Sequence, residues 1–570
     1  MRSKRLILFV AFIAILCPLL FSATPEIIKS DSRIYEEMET LYVSSGYGVP
    51  SSSRPWSIGE AEEILKRINY NTLNEDEKAL YDSISRSLQK EGKGDGVLEY
   101  NGHLGINLEV YGHTNSDFSN EKDWIIGYDE RLPMIEAGIT FTLLDTFNFY
   151  SEVSVGRGKY DGKDEERLLD IFSLCPNGIG AVIPSADKRN GTSSNTLLSS
   201  SRYASSFTSN ILTSIPDFDS VFPKRAYVSV GGKYWNLQFG RDRISWGNSN
   251  IGNLIIDDHV DYHDLMRLVL YSDSFKCEFT YLFLEYDWSS SQTIDKGFKA
   301  FLAHRFEFRL SQRLTLAFSE NVMYVTPDII EAKYFNPAFL FHNLDNHSIF
   351  NAIAHIELDY QFAKGFNLYS QFALDQATAP GEGSDQASAF GVLGGLEYKK
   401  VLYGGDRLSS FMEVAYTTPL MYRRDKVDFL IIDKNKLSTS GGYVIDVDFL
   451  GFPYGNDSFV MEMGNEYTLS SGVGVSMKIR EILKGSLDIY TSHNKDGNNE
   501  KYPNIDGGFL YGDITSIFSV TLESYCPLSF FFDSFFEGKL SSNLSYIRKG
   551  LINKEKKNDL QFTLSLSLSI

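Results

Sequence analysis

The sequence predicts an all-β transmembrane barrel of about 18 antiparallel strands, preceded by a small N-terminal α-helical bundle. Three observations lead there. The last ten residues alternate strictly: Phe562, Leu564, Leu566, Leu568 and Ile570 are large and apolar, whereas Gln561, Thr563, Ser565, Ser567 and Ser569 are small or polar. A strand turns successive side chains to opposite faces, so one face is greasy and the other suits water. Similar alternating runs fill most of the chain, which is rich in Tyr and Phe but holds only 5 Trp. Finally, the chain opens like an exported protein, and outer-membrane barrels are exported.

The opening segment has Arg2, Lys4 and Arg5, then an apolar stretch from Leu6 to Phe21, then Ala23. A basic flank, a short apolar core and a small residue make a signal peptide over 1–23. Two other readings are a retained anchor and lipidation at Cys17, which a bulky Leu16 and an adjoining Pro18 fit loosely. No second apolar span of about 20 residues follows, which excludes a polytopic helical membrane protein.

Net charge is −20, and without the three basic residues of the signal it is −23. Such a chain repels phosphate backbones, so nucleic acid is excluded as a partner. Cys175, Cys277 and Cys526 remain after Cys17. Three widely spaced cysteines form neither a disulfide framework nor a zinc pattern, and unpaired thiols are expected.

Residues 24–92 carry helical rather than alternating periodicity, and are expected to form a periplasmic bundle of three short helices. Ile34, Met38, Leu41 and Tyr42 make the first stripe, ended by a Gly-Tyr-Gly-Val-Pro break at 46–50. Ser57 with Glu60 is a capping box for the second, with Ile58, Ala61, Ile64, Leu65 and Ile68 behind it. Asn74 with Glu77 caps the third, carrying Leu80, Ile84 and Leu88. The glycines of 92–96 read as a flexible linker.

The barrel occupies 97–570. Its clearest strands are 98–111, 133–144, 147–158, 225–232, 235–242, 263–271, 275–286, 298–310, 313–324, 351–362, 366–376, 388–399, 409–417, 458–468, 484–492, 511–523, 541–547 and 559–570. Segments near 443–451, 473–480 and 528–538 are ambiguous. Short turns at 144–147, 231–234, 310–313 and 363–365 suit the periplasmic side. The longest loop, 159–222, is Ser-rich and suits the outside, as a surface cap or a constriction folded into the lumen.

Two charged segments stand out. In the run from Tyr234 to Gly247, Arg241 and Arg243 fall on one face of the alternation and Asp242 on the other. A midplane Arg facing lipid costs roughly 2–4 kcal/mol, so these charges belong in the lumen, at the strand end or in a loop. Arg241, Asp242, Arg243 and Trp246 are therefore candidate ligand-binding residues, through forked hydrogen bonds and ring stacking on an anionic or sugar ligand. The alternative is that they brace the barrel by pairing with carboxylates on neighbouring strands. Further on, Arg305, Glu307 and Arg309 share one face, with His304, Phe306 and Phe308 on the other. That pattern is a charge ladder in the lumen, which sets ion selectivity or forms a neutralised network. An acidic cluster with Asp257, Asp258, Asp261 and Asp264, plus His259 and His263, reads as a solvated loop before a cation site. His342, His347 and His355 match no metal spacing. No metal, cofactor, nucleophile elbow, zinc-protease motif or P-loop is expected, so the chain is not read as an enzyme.

Several segments together resemble the Wzi-type capsule-assembly family. They are the helical run Tyr35 to Ile68 with Trp56-Ser57, Glu60 and Glu63; the Phe239 to Gly247 segment with Asn253 to Ile256; and His304 to Glu307. Leu314 to Glu320, Tyr334 to Pro337, Phe341 to Asn343 and Phe366 to Asp375 follow in the family's order. The resemblance covers about 30–80 and 225–380. It implies a barrel of about 18 strands with a periplasmic helical bundle. It also implies a surface end that holds capsular or other surface polysaccharide. Related gliding-motility proteins extend this to surface-layer and adhesin systems. The terminal Ile570, where an aromatic is usual, and the long Ser-rich loop depart from the family.

The expected function is thus a non-enzymatic barrel of the diderm outer membrane that binds or organises surface polysaccharide. Tyr160, Asn190, Arg202 and Tyr203 are candidate loop contacts. The alternatives are a porin-like or gated transport channel, and a surface adhesin. Expected partners are outer-membrane lipid, surface polysaccharide, the barrel-assembly machinery and a periplasmic partner of the helical bundle.

Overall fold

The structure, a computed structural model, describes residues 24–89, 93–94, 97–119, 123–127, 130–158, 206–213, 218–260, 262–284, 298–326, 334, 336, 350–376, 388–423, 427–436, 443–487, 489, 509–530 and 537–570. The signal segment, Cys17, Cys175, Asp261, His342, His347 and the loop residues Tyr160, Asn190, Arg202 and Tyr203 lie outside them.

Eighteen long strands close into one antiparallel barrel. In chain order they are β1 Leu98–His113, β2 Ile135–Leu143, β3 Phe147–Arg157, β4 Phe218–Gly232, β5 Trp235–Asp242 and β6 His263–Tyr271. There follow β7 Phe275–Leu284, β8 Phe298–Ser311, β9 Leu314–Thr326, β10 Phe350–Ala363, β11 Phe366–Gln376 and β12 Ala389–Val401. The circuit ends with β13 Arg407–Thr417, β14 Ser458–Thr468, β15 Gly474–Lys484, β16 Thr515–Pro527, β17 Glu537–Leu551 and β18 Lys557–Ser569. The final strand pairs with the first from Gln561↔His113 to Ser569↔Gly105, which removes every sheet edge.

The alternation of β18 is realised as expected: Phe562 and Leu564 are 40% and 46% exposed on the outer wall, whereas Gln561, Thr563 and Ser565 are buried in the lumen. Leu104, Ile106, Leu108, Phe239, Phe318, Phe372 and Met461 continue that outer band around the wall. The tight connections at 144–146, 233–234, 312–313 and 364–365 gather at one end, and the long connections at the other.

Three strand assignments change. Of the run 484–492, the described residues after Lys484, where β15 ends, are not strand, the rest lies outside the described residues, and the ladder lies instead in the ambiguous segment near 473–480. The stretch near 443–451 does form a strand, Tyr443–Phe449, but it pairs only with Leu430–Lys436 in a separate hairpin. The stretch 528–538 contributes a 3₁₀ turn, Leu528–Phe530, and the first residues of β17. In the linker, Lys93 and Gly94 pair with Tyr100 and Glu99 rather than hanging free.

The three helices form where their caps lie: α1 Arg33–Ser45, α2 Ile58–Lys66 and α3 Glu75–Ser87. Ser57 accepts from the Glu60 amide, and Asn74 with Glu77 makes a reciprocal capping box. Gly46 ends α1 at φ 101°, a left-handed conformation that only glycine adopts without strain. Tyr35, Met38, Leu41, Trp56, Ala61, Ile64, Leu80 and Ile84 make their shared core.

Candidate functional site

The helical segment seals the short-turn end of the barrel. The Gly48 amide donates to the Gln312 carbonyl at 2.9 Å, the Gly365 amide to Val43 at 2.9 Å, and the Gly404 amide to the Asp76 carboxylate at 3.2 Å. Ion pairs reinforce the seat: Arg407 with Glu37 at 3.0 Å, Lys399 with Glu39 at 2.7 Å, and Lys276 with Glu60 at 2.6 Å. Burial pushes the Glu39 carboxyl up, but Lys399 and Arg54 outweigh it and hold it below its ordinary value.

From this seat the chain between α1 and α2 climbs the lumen. Ser51 donates to Glu307 at 3.0 Å and Ser52 to Glu357 at 2.6 Å. Ser53 and Arg54 then pair with Trp246 and Ser245 in a short antiparallel ladder. The partner strand belongs to the loop after β5, which enters from the opposite end. Plug and loop therefore meet inside the barrel, where the Gly247 amide donates to the Ser52 carbonyl at 2.7 Å. Gly247 sits at φ 126°, and a Cβ there would strike Asn253 and Gln371, so this junction admits no side chain.

The candidate residues at the end of β5 divide. Asp242 faces the lumen and is gripped by Arg225 through two bonds of 2.7 and 3.0 Å, by Gln238 at 2.7 Å, and by the Arg243 amide at 2.9 Å. Arg225 also donates to the Ile27 carbonyl at 3.0 Å, tying the plug's first residues to the wall. Trp246 is wholly buried and donates its indole N–H to Glu278 at 2.9 Å. Glu278 in turn holds Arg267 bidentately at 2.7 and 2.9 Å, and Arg267 donates to the Pro55 carbonyl. Arg243 lies over the Tyr262 ring at 4.9 Å. Arg241 takes the strand-end place among the three expected: it points outward there, and its charge is met by Asp264 across the ladder at 3.6 Å.

The ladder on β8 does line the lumen. Arg305 bonds Glu307 at 2.8 Å, Glu357 at 3.0 Å and Ser52 at 2.5 Å, while Arg309 donates to the Gly48 carbonyl at 3.1 Å. Arg305 is thus shared by two carboxylates, and Arg309 is met by backbone carbonyls, so each cation has the hydrogen-bond acceptors that buried ions require. Phe308 faces outward beside Phe275, and His304 is buried edge-on against Phe279. The acidic cluster disperses. Asp257 accepts from the Asn253 amide at 2.7 Å and from His259, whereas Asp264 points outward to Arg241. A different group, His103, Glu136 and Glu152, brings ligand atoms within 4.8 Å of one another. Lys29 and Lys224 stand 3.4 and 3.7 Å from Glu136, supplying the positive charge locally.

Above the ladder the barrel is dry. Ile244, Trp246, Leu254, Ile255 and Ile256 from the loop after β5 pack with Met421, Tyr422, Phe429, Leu430, Leu450 and Phe452 from the segment between β13 and β14. The wall meets them with Phe301, Met323, Ile353, Tyr369 and Val460. The Tyr422 hydroxyl donates to the Leu254 carbonyl at 2.6 Å. The sequence offered one signal for this core, the apolar run at 254–256, which alternation alone does not explain. Arg225, Arg267, Glu278 and Glu357 escaped the sequence reading because each meets its partner only across the ladder or the lumen.

A family profile described as capsule assembly protein Wzi matches residues 177–502. Among solved structures, the chain is similar to Wzi, an outer-membrane protein involved in group 1 capsule assembly in Escherichia coli and described as a carbohydrate-binding β-barrel. The TM-score is 0.55 at 13% identity, over 95% of this chain and 99% of that one. At that identity the likeness shows the fold. The Pseudomonas aeruginosa protein OprD gives a TM-score of 0.38 at 9% identity, over 84% and 97% of the two chains, and carries no argument. No curated protein matches the sequence.

Proposed function

The chain belongs to the Wzi capsule-assembly family, and on that footing we propose that it is a non-enzymatic outer-membrane barrel that holds or organises surface polysaccharide or other surface-layer components. The observation that carries this reading is the filled lumen. A plug from one end and a loop from the other meet in a hydrogen-bonded ladder beneath an apolar core, leaving no through passage on that side among the described residues. A porin-like channel needs a continuous polar path, and buried Phe, Leu and Ile side chains packed together interrupt one on that side. A molecule that does not transport offers the membrane its exterior and the cell surface its loops.

In this reading residues 1–23 are cleaved after export, the barrel-assembly machinery inserts the mature chain, and the helical bundle sits on the periplasmic side. Arg241, Asp242, Arg243 and Trp246 brace the lumen and rim rather than contact a glycan, a role supported by the ion pairs and the indole bond they make. Glycan contact falls to the long connections at the opposite end.

The test pairs a measurement on the purified full-length protein with one on cells. Planar-bilayer recordings are expected to be silent, and cells lacking the protein are expected to shed surface polysaccharide that the wild-type gene restores. Large steady conductance, with surface polysaccharide unchanged by the deletion, would overturn the proposal in favour of transport.

A further inference from the structure

The plug fills the short-turn end unevenly. It is seated against β7 to β13, through Lys276, Arg309, Gly365, Lys399 and Arg407. Beside it, towards β14 and β15, a cavity of about 410 Å³ remains. Its mouth is set by Asp31, Arg33 and Lys478, whose side chains are 62%, 51% and 39% exposed. Its inner end is formed by Ser245, Asn248, Asn253 and Asp258 of the loop that the plug meets. Ser245 and Asn253 are almost fully buried, so the cavity runs from solvent at the short-turn end to a blind roof under the dry core.

The lining has a definite chemistry. Amides and hydroxyls at the roof stand opposite the carboxylates of Glu36 and Glu466. The Tyr35 and Phe411 side chains add ring surface. Its fixed charges nearly balance, with five carboxylates (Asp31, Glu36, Glu39, Asp258 and Glu466) against four cations (Arg33, Arg54, Lys399 and Lys478); Glu39 is taken by Arg54 and Lys399. At the roof, the Asn248 carbonyl oxygen is buried with no hydrogen-bond partner, while its amide nitrogen is held by Asp359 at 3.0 Å. Burial, with Asp257 adding to it, pushes the Asp258 carboxyl above its ordinary value, towards a form that both donates and accepts. The excess of a single carboxylate works against an anion without selecting strongly for a cation, and the mixture of donors, acceptors and rings matches hydroxyl groups on a compact carbon skeleton.

We infer that this cavity is a blind binding site, open at the short-turn end, for a small uncharged polyhydroxylated molecule such as a single sugar. The site is separate from the loops that the proposed function uses. A ligand there contacts plug, roof loop and wall together, so its binding stabilises their mutual seating.

The probe is D-glucose, with D-galactose and sorbitol in parallel and D-glucuronate as the charged control. Each is titrated into the full-length protein in detergent and followed by saturation-transfer NMR. Saturable binding of at least one neutral compound is expected, with glucuronate at least tenfold weaker. Ser409→Trp fills the cavity from the wall and is expected to abolish binding. Glu466→Ala removes one lining carboxylate and is expected to weaken binding at least tenfold; it decides the matter if the Trp variant does not assemble. Both variants are expected to retain surface polysaccharide in cells, so failure here is distinct from failure of the proposed function. Non-saturable signals for all neutral probes, equal binding by glucuronate, or undiminished binding by an assembled variant would overturn the inference.

Discussion

The two sides of the lumen close by opposite means. Beside β6 to β13 the barrel is stopped by apolar packing, in which Trp246, Ile255, Tyr422, Phe429 and Phe452 exclude water. Beside β17, β18 and β1 the described part of the loop between β1 and β2 is held by a polar network. Asp559 accepts from the Thr114 and Asn115 amides at 2.9 Å and meets His113 at 3.3 Å. Asp123 pairs with Lys549, and Arg131 lies 4.1 Å over the Tyr111 ring. Both lids are loops folded inward from the same end. The difference teaches that wall and inserted loop are matched: lumen-facing Phe301, Met323, Ile353 and Val460 meet the apolar loops, whereas charged and amide side chains meet the polar one.

Breaking the dry side is expected to cost most. Glu278→Ala leaves Arg267 buried without its bidentate partner and frees the Trp246 indole, so a loss of about 3–5 kcal/mol is expected. A fall in the temperature at which the folded form loses its fast gel migration would register it; an unchanged midpoint would mean that the apolar packing alone holds this side.

Acid is expected to act next, on the seat of the plug. Glu39 is held below its ordinary 4.5 by Lys399 and Arg54, with burial opposing them. Its contribution is therefore present above that value and disappears as pH falls through the lower folded one. Relative to strand amides, hydrogen exchange of residues 33–45 is expected to rise as pH falls below the ordinary 4.5 and through the lower folded value. Equal protection of both at pH 3 would show that the seat does not depend on this carboxylate.

On the polar side the expected cost is smaller. Asp123→Ala removes a pair whose lysine is already one-third exposed, so a loss of about 1 kcal/mol is expected, read by the same thermal assay. A loss as large as that of Glu278→Ala would erase the contrast between the lids. The least effect belongs to Arg241→Ala, below about 1 kcal/mol, because its 3.6 Å pair with Asp264 is exposed. Failure of that variant to assemble would make the strand end a folding determinant.

The sequence reading recovered the elements whose signal is local. Capping residues Ser57 and Asn74 placed two helices, and strict alternation placed the C-terminal strand and the Arg305 ladder on the correct faces. It missed where an alternating run leaves the wall. Tyr443–Phe449 has the pattern of a barrel strand yet pairs in an inward hairpin, since alternation reports the backbone's period and not its neighbour. It also placed Arg241 with Arg243, because β5 ends between them and the period of two ends with it.

Alternation, caps and an export-like start were enough to establish a closed lipid-facing cylinder with a helical preface, since each is a property of a few consecutive residues. The filling of that cylinder was settled by assembly. Ser52 finds Glu357 at a separation of 305 residues, and Trp246 finds Glu278 across the ladders. Such pairings have no signature in either segment alone, because a buried charge is satisfied by whichever partner the closed barrel brings within bonding distance.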